Sequence, residues 1–121
     1  MSVHLLTSDA STRATEASNL KVLILSNFPT NAWIVIGGDF NTDTRTESAV
    51  TTFASLCPDA PIPTDAASGG NNNSNEPRSK PYDYVLASRS LTNYLTNAVL
   101  PPTAFPRDSS STRAFTPRSR T

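Results

Sequence analysis

The stretch Trp33-Ile34-Val35-Ile36, followed at once by Gly37-Gly38, constrains the fold of this chain more than any other. A short continuous apolar run with no alternation reads as a strand buried on both faces, typically a central one. The glycines end the run, allow a sharp exit from a sheet and permit close backbone approach. Further strand candidates are Ser2-Val3-His4-Leu5-Leu6 and Tyr82-Asp83-Tyr84-Val85-Leu86, the second rich in aromatic and β-branched residues. Ala98-Val99-Leu100 reads as a last short strand.

Two helices fit between these strands. From about Ser11 to Phe28, Ala14, Ala17, Leu20, Leu23 and Ile24 recur at helical spacing, with Ser8, Asp9 or Ser11 able to cap the start and Pro29 to stop it. A second helix is expected from about Glu47 to Cys57, with Val50, Phe53, Leu56 and Cys57 on one side and Pro58 ending it. Residues 58–81 read as one long loop, because Pro61, Pro63, Gly69-Gly70 and Asn71-Asn72-Asn73 break every period. Ser90 to Leu95 reads as a helical turn. The expected fold class is α/β, a mixed sheet with helices on one face, spanning residues 1–100.

Composition limits what this architecture can bury. Apolar residues make up 36%, while Ser, Thr, Asn and Pro account for 52 of 121 residues. That allows a modest core joined by long irregular stretches. Ten basic residues balance ten acidic ones, so no bulk positive field advertises nucleic-acid binding. The neutral total hides an asymmetry: residues 101–121 carry a net charge of +3 and the first hundred about −3. Pro, Ser, Thr and Arg supply 16 of those last 21 residues, a composition expected to be a disordered, solvated tail. One cysteine and one histidine exclude a disulfide framework and a structural zinc site built from those ligands. Neither an apolar run of membrane-spanning length nor a secretory signal pattern is visible.

The chemistry concentrates in Gly37-Gly38-Asp39-Phe40-Asn41. In an extended segment Asp39 and Asn41 point the same way while Phe40 points oppositely, into the packing. A carboxylate beside a carboxamide at a strand's carboxyl edge suits orienting a water or a hydrated metal against a phosphate. One group accepts a proton and the other donates hydrogen bonds to an oxygen. The bland alternative is a turn in which both residues bond their own backbone. Asp83, inside an apolar strand, needs a partner or a solvent-facing position, because burying an unpaired carboxylate is very costly. Ion pairs to Arg78, Lys80 or Arg89 are the structural alternatives for it. Arg13 and Glu16 read as a surface i,i+3 pair, Arg78, Lys80 and Arg89 as solvated charges. Trp33, Tyr82 and Tyr84 read as core aromatics, and Cys57 as a small buried hydrophobe.

Together, Ser2-Val3-His4-Leu5, the helix with Arg13 and Glu16, the Trp33-to-Asn41 segment and Pro81-Tyr82-Asp83-Tyr84-Val85-Leu86-Ala87-Ser88 resemble the endonuclease/exonuclease/phosphatase family of DNase I-like phosphoesterases. The resemblance covers roughly residues 1–100 and implies the second half of that family's sandwich domain, a partial DNase I-like fold. It implies Mg²⁺-dependent hydrolysis of a phosphate ester, with a nucleic-acid phosphodiester as the expected substrate. By the same resemblance, Asp39 aligns or deprotonates the attacking water and bears on the metal through it. Asn41 orients the phosphate, and His4 contacts the scissile phosphate or protonates the leaving oxygen, or serves structure alone. Asp83 matches a carboxylate that orients a histidine, yet no histidine follows His4 in this chain. The family's glutamate ligand and its final aspartate–histidine pair have no counterpart here. The expectation is therefore a truncated or frame-shifted domain with impaired activity, exposing a surface built for a complementing half-domain. The competing expectation is a non-catalytic remnant that binds phosphate.

Overall fold

The computed structural model describes residues 1–6, 8–63 and 70–94. Its elements in chain order are β1 (Ser2–His4), α1 (Ala10–Asn27), β2 (Val35–Asp39), α2 (Ser48–Thr51), β3 (Asp83–Ala87) and a 3-10 helix over Arg89–Tyr94. The strands form one mixed sheet in the order β1-β2-β3, with β1 parallel and β3 antiparallel to β2. The glycine-ended strand is thus central, and the chain is a small α/β arrangement. The expected strand at Ala98–Leu100 and the tail 101–121 lie outside the described residues.

Asp9 starts α1. Its carboxylate accepts from the backbone N–H groups of Ser11 and Thr12 at 3.2 and 3.0 Å and from both their hydroxyls. These satisfy donors that the first helical turn leaves orphaned. The helix stops at Asn27 because Phe28 precedes Pro29, and a residue before proline is driven out of the helical region. Its buried stripe is Arg13, Ala17 and Ile24, with Leu20 partly covered between them. Leu23, expected on this stripe, is instead 60% exposed. The steps of four, three and four residues that begin at Arg13 place Leu23 off the covered side.

The second helix is shorter than expected. α2 is a single turn over Ser48–Thr51, continued by turns held by three-residue bonds such as Phe53 N–H to Val50 and Leu56 N–H to Phe53. Val50, Thr51 and Thr52 are consecutive β-branched residues, which crowd a regular helix. Tight turns still bring Val50, Phe53 and Cys57 into the core. Phe53 meets Phe40 edge-on at 6.2 Å, and Phe40 meets Tyr84 at 5.0 Å.

Burial alternates along the sheet and corrects the reading of β2 as covered on both sides. Ile36 and Leu86 are fully buried under the helical layer, whereas Val35 is 41% and Val85 77% exposed on the opposite face. Trp33, expected in the core, is 73% exposed. A run of apolar residues cannot by itself tell one covered face from two. Tyr84 and Cys57 are buried as expected, and burial pushes the Cys57 thiol up. No helix among the described residues is long and apolar enough to cross a membrane.

Candidate functional site

One row of backbone pairing gathers three of the four singled-out residues. Register sets His4 beside Asp39 and Asp39 opposite Asp83, so their side chains share the open face at one end of the sheet. Neighbouring strands lie about 4.8 Å apart, which puts Asp39 between its two neighbours and His4 two strands from Asp83. Gly38 makes this row fit. Its φ of +142° belongs to glycine, and a Cβ there would run into the backbone of Val3 on β1.

Asp39 is accessible, with about a third of its side chain exposed (36%). Its Oδ1 accepts the Asn41 backbone N–H at 2.8 Å, and its Oδ2 stands 4.0 Å from His4 Nε2. His4 is the more open partner, its side chain 75% exposed. Asp83 is exposed on β3, where its backbone N–H donates to Ser74 Oγ at 2.7 Å. Of the cations expected near Asp83, Lys80 pairs with Asp43, and Arg89 Nη2 donates to the Ala54 carbonyl. Arg78 Nη2 donates to the Asn71 carbonyl. Among the described residues, no cation forms an ion pair with Asp83. Two carboxylates facing each other across a strand pair destabilise the sheet by mutual repulsion.

Asn41 sits differently from the simple extended picture. The chain leaves the sheet after Asp39, and Asn41 takes a left-handed φ of +52°, a region asparagine tolerates better than most residues. Its side chain therefore does not lie parallel to that of Asp39. It is buried and donates Nδ2 to the Leu5 carbonyl at 2.7 Å. The Asn41–Asp39 backbone bond is half of the bland turn reading, and it coexists with an open carboxylate oxygen. Phe40 points into the core, as expected from alternation. Its N–H bonds the Tyr82 carbonyl and ties the exit of β2 to the start of β3.

Below this turn lie side chains whose roles the sequence reading missed. Arg13, expected at the surface, is 2% exposed and grips both carboxylate oxygens of Glu47 at 2.9 and 3.0 Å. Glu16, its expected partner, instead accepts the Leu6 N–H. Thr42 donates to the Pro81 carbonyl at 2.6 Å and shares a bond with the Tyr84 hydroxyl. Arg45 bonds both oxygens of Asp59 at 2.7 Å and lies over the Tyr84 ring. The signal for Arg13 was its spacing from Ala17, Leu20 and Ile24, because a charged residue on a buried stripe must have a buried partner. Asp83 also borders an open cavity of about 290 Å³ with Arg45, Asp59, Pro61 and Tyr84.

Asp39 and Asp83 present hard oxygen donors of the type Mg²⁺ accepts, usually from one or two carboxylates with water completing the shell. Among the described residues, no group of three His, Cys, Asp or Glu side chains gathers closely enough to hold a metal ion. A scan against protein-family models finds no match to this chain, and a search of curated proteins finds no significant one.

Proposed function

We propose that this chain carries a phosphoester-hydrolysing site of the endonuclease/exonuclease/phosphatase kind, acting on a phosphodiester such as that of a nucleic acid. The supporting observation is the single row of His4, Asp39 and Asp83 on one open sheet face, with Asn41 anchored just past it. Asp39 is the base: its Oδ1 is fixed by the Asn41 N–H, while Oδ2 remains to orient or deprotonate water. The Asn41 carboxamide, buried and donating to Leu5, anchors the turn that carries Asp39, and exposed His4 supplies a proton to the leaving oxygen. Mg²⁺, when bound, would polarise a phosphoryl oxygen. Asp83, and Asp39 through that water, are the residues that would hold it, and Asp83 has no imidazole beside it to orient.

The test is turnover of a generic phosphodiester and of a labelled oligonucleotide by the purified full chain, with and without Mg²⁺. The reading expects Mg²⁺-dependent hydrolysis that Asp39→Ala abolishes. A rate that survives Asp39→Ala refutes it. Phosphate binding without turnover supports the second reading, a non-catalytic remnant.

A further inference from the structure

We propose that Arg13 is the positioning residue of this site, clamping together the two chain segments that leave the sheet beside His4 and beside Asp39. This inference rests on the phosphoesterase reading for its catalytic consequence, but not for its structural content. The first segment follows β1. Its Leu5 carbonyl receives Asn41 Nδ2, and its Leu6 carbonyl receives Arg13 Nη1 at 3.4 Å. The Leu6 N–H donates to Glu16. The second segment follows β2. Asn41 bonds Asp39, Asp43 N–H donates to Glu47 Oε1 at 2.6 Å, and Lys80 pairs with the Asp43 carboxylate.

Arg13 joins the two segments. One guanidinium reaches the Leu6 carbonyl on one side and both Glu47 oxygens on the other, with the Asp43 carboxylate 3.8 Å away. Its side chain is 3% exposed and that of Glu47 14%, so water screens this pair little. A buried arginine presents five donors in a fixed planar fork, so it dictates where its acceptors stand. Asn41, in its left-handed conformation, is held between these anchors, and Asp39 Oδ1 is held by Asn41. Arg13 thus sets the direction of the Asp39 carboxylate without touching it.

The experiment compares the full chain with Arg13→Lys, Arg13→Met and Glu47→Gln by hydrogen exchange and kinetics. Exchange at the Asn41 backbone amide, which donates to Asp39, is measured against core amides of Ile36 and Leu86. The proposal expects Asn41 exchange to rise at least about tenfold in Arg13→Met while the core amides keep their protection. Arg13→Lys, which keeps the charge but loses the fork, falls between. On a phosphodiester, kcat falls with KM little changed, and Arg13→Lys recovers part of the loss. If Arg13→Met does not fold, Glu47→Gln and Arg13→Lys decide by the same ratio of Asn41 to core exchange. A ratio unchanged in every folded variant overturns the proposal. A wild-type chain without turnover, yet with the exchange ratio altered, retains the clamp and removes the phosphoesterase reading instead.

Discussion

Replacing Gly38 with alanine puts a methyl group where the fold has no room for one. The added Cβ would lie 3.0 Å from the backbone nitrogen and carbonyl carbon of Val3 and closer still to its oxygen. All three atoms are backbone of β1, so relief requires the strand itself to move. The φ of +142° adds strain of about 1–3 kcal/mol for a residue with a side chain. Forcing the extra carbon against β1 adds about 1–3 kcal/mol. The total is about 2–6 kcal/mol, against a stability of about 5–15 kcal/mol for a domain of this size. Gly37 is the matched control. A Cβ there meets the Tyr84 carbonyl oxygen at 3.6 Å and a Val85 methyl at 3.9 Å, ordinary contact distances. Gly37→Ala is therefore near neutral, with a small gain from reduced backbone freedom in the unfolded chain. Urea unfolding followed by far-ultraviolet circular dichroism resolves the pair. At a slope of about 1–2 kcal/mol per molar urea, Gly38→Ala lowers the midpoint by roughly 1–6 M. A Gly38→Ala midpoint within about 0.5 M of that of Gly37→Ala refutes the close-approach argument.

Asp83→Asn removes one of two opposed carboxylates, so it raises thermal stability by about a few tenths of a kcal/mol while lowering phosphodiester turnover. Calorimetry and kinetics on one preparation check both signs, and a variant that is less stable contradicts the register argument. Hydrogen bonds from Thr12 and Ser11 hold the Asp9 carboxyl down at about 2, below its unfolded value of about 3.9. The folded chain therefore binds fewer protons there, and this stability is present above about pH 4 and lost as pH falls towards 2. Asp9→Ala lowers the melting temperature at neutral pH and flattens the acid limb of the melting curve. Asp9→Asn keeps most of the cap but flattens the same limb.

What the sequence disclosed follows from how locally each feature is encoded. The places of the three strands along the chain, the central position of β2 and the inward turn of Phe40 are legible because apolar runs, period-two alternation and a glycine pair act over a few residues. The 3-10 helix at Arg89–Tyr94, expected over Ser90–Leu95, is equally local. The burial of Arg13 is not, because its partner Glu47 lies 34 residues away and only the closed fold brings them together. The one-sided cover of β2 was hidden for a related reason: Trp33, Val35 and Val85 look like core residues whatever packs on them. The length of α2 was overestimated because an apolar stripe fits a regular helix and a chain of tight turns equally well. At the candidate site, alternation placed Asp39 correctly, but the left-handed backbone at Asn41 ended the alternation one residue early.

The end of the sheet that carries His4, Asp39 and Asp83 also carries unusual local choices. Gly38 and Asn41 occupy positive-φ backbone three residues apart, and two carboxylates face each other between them and β3. The left-handed Asn41 and the opposed carboxylates lower stability, and neither helps to build the core. Nearby lie several polar anchors, namely the buried Arg13–Glu47 pair, the Asn41–Leu5 bond and the Thr42 hydroxyl shared between Pro81 and Tyr84. Local strain persists only where the surroundings over-determine it. The concentration of strain and anchors around one accessible carboxylate is why the proposed function is sited at Asp39 rather than at the apolar part of the same face around Val35 and Val85.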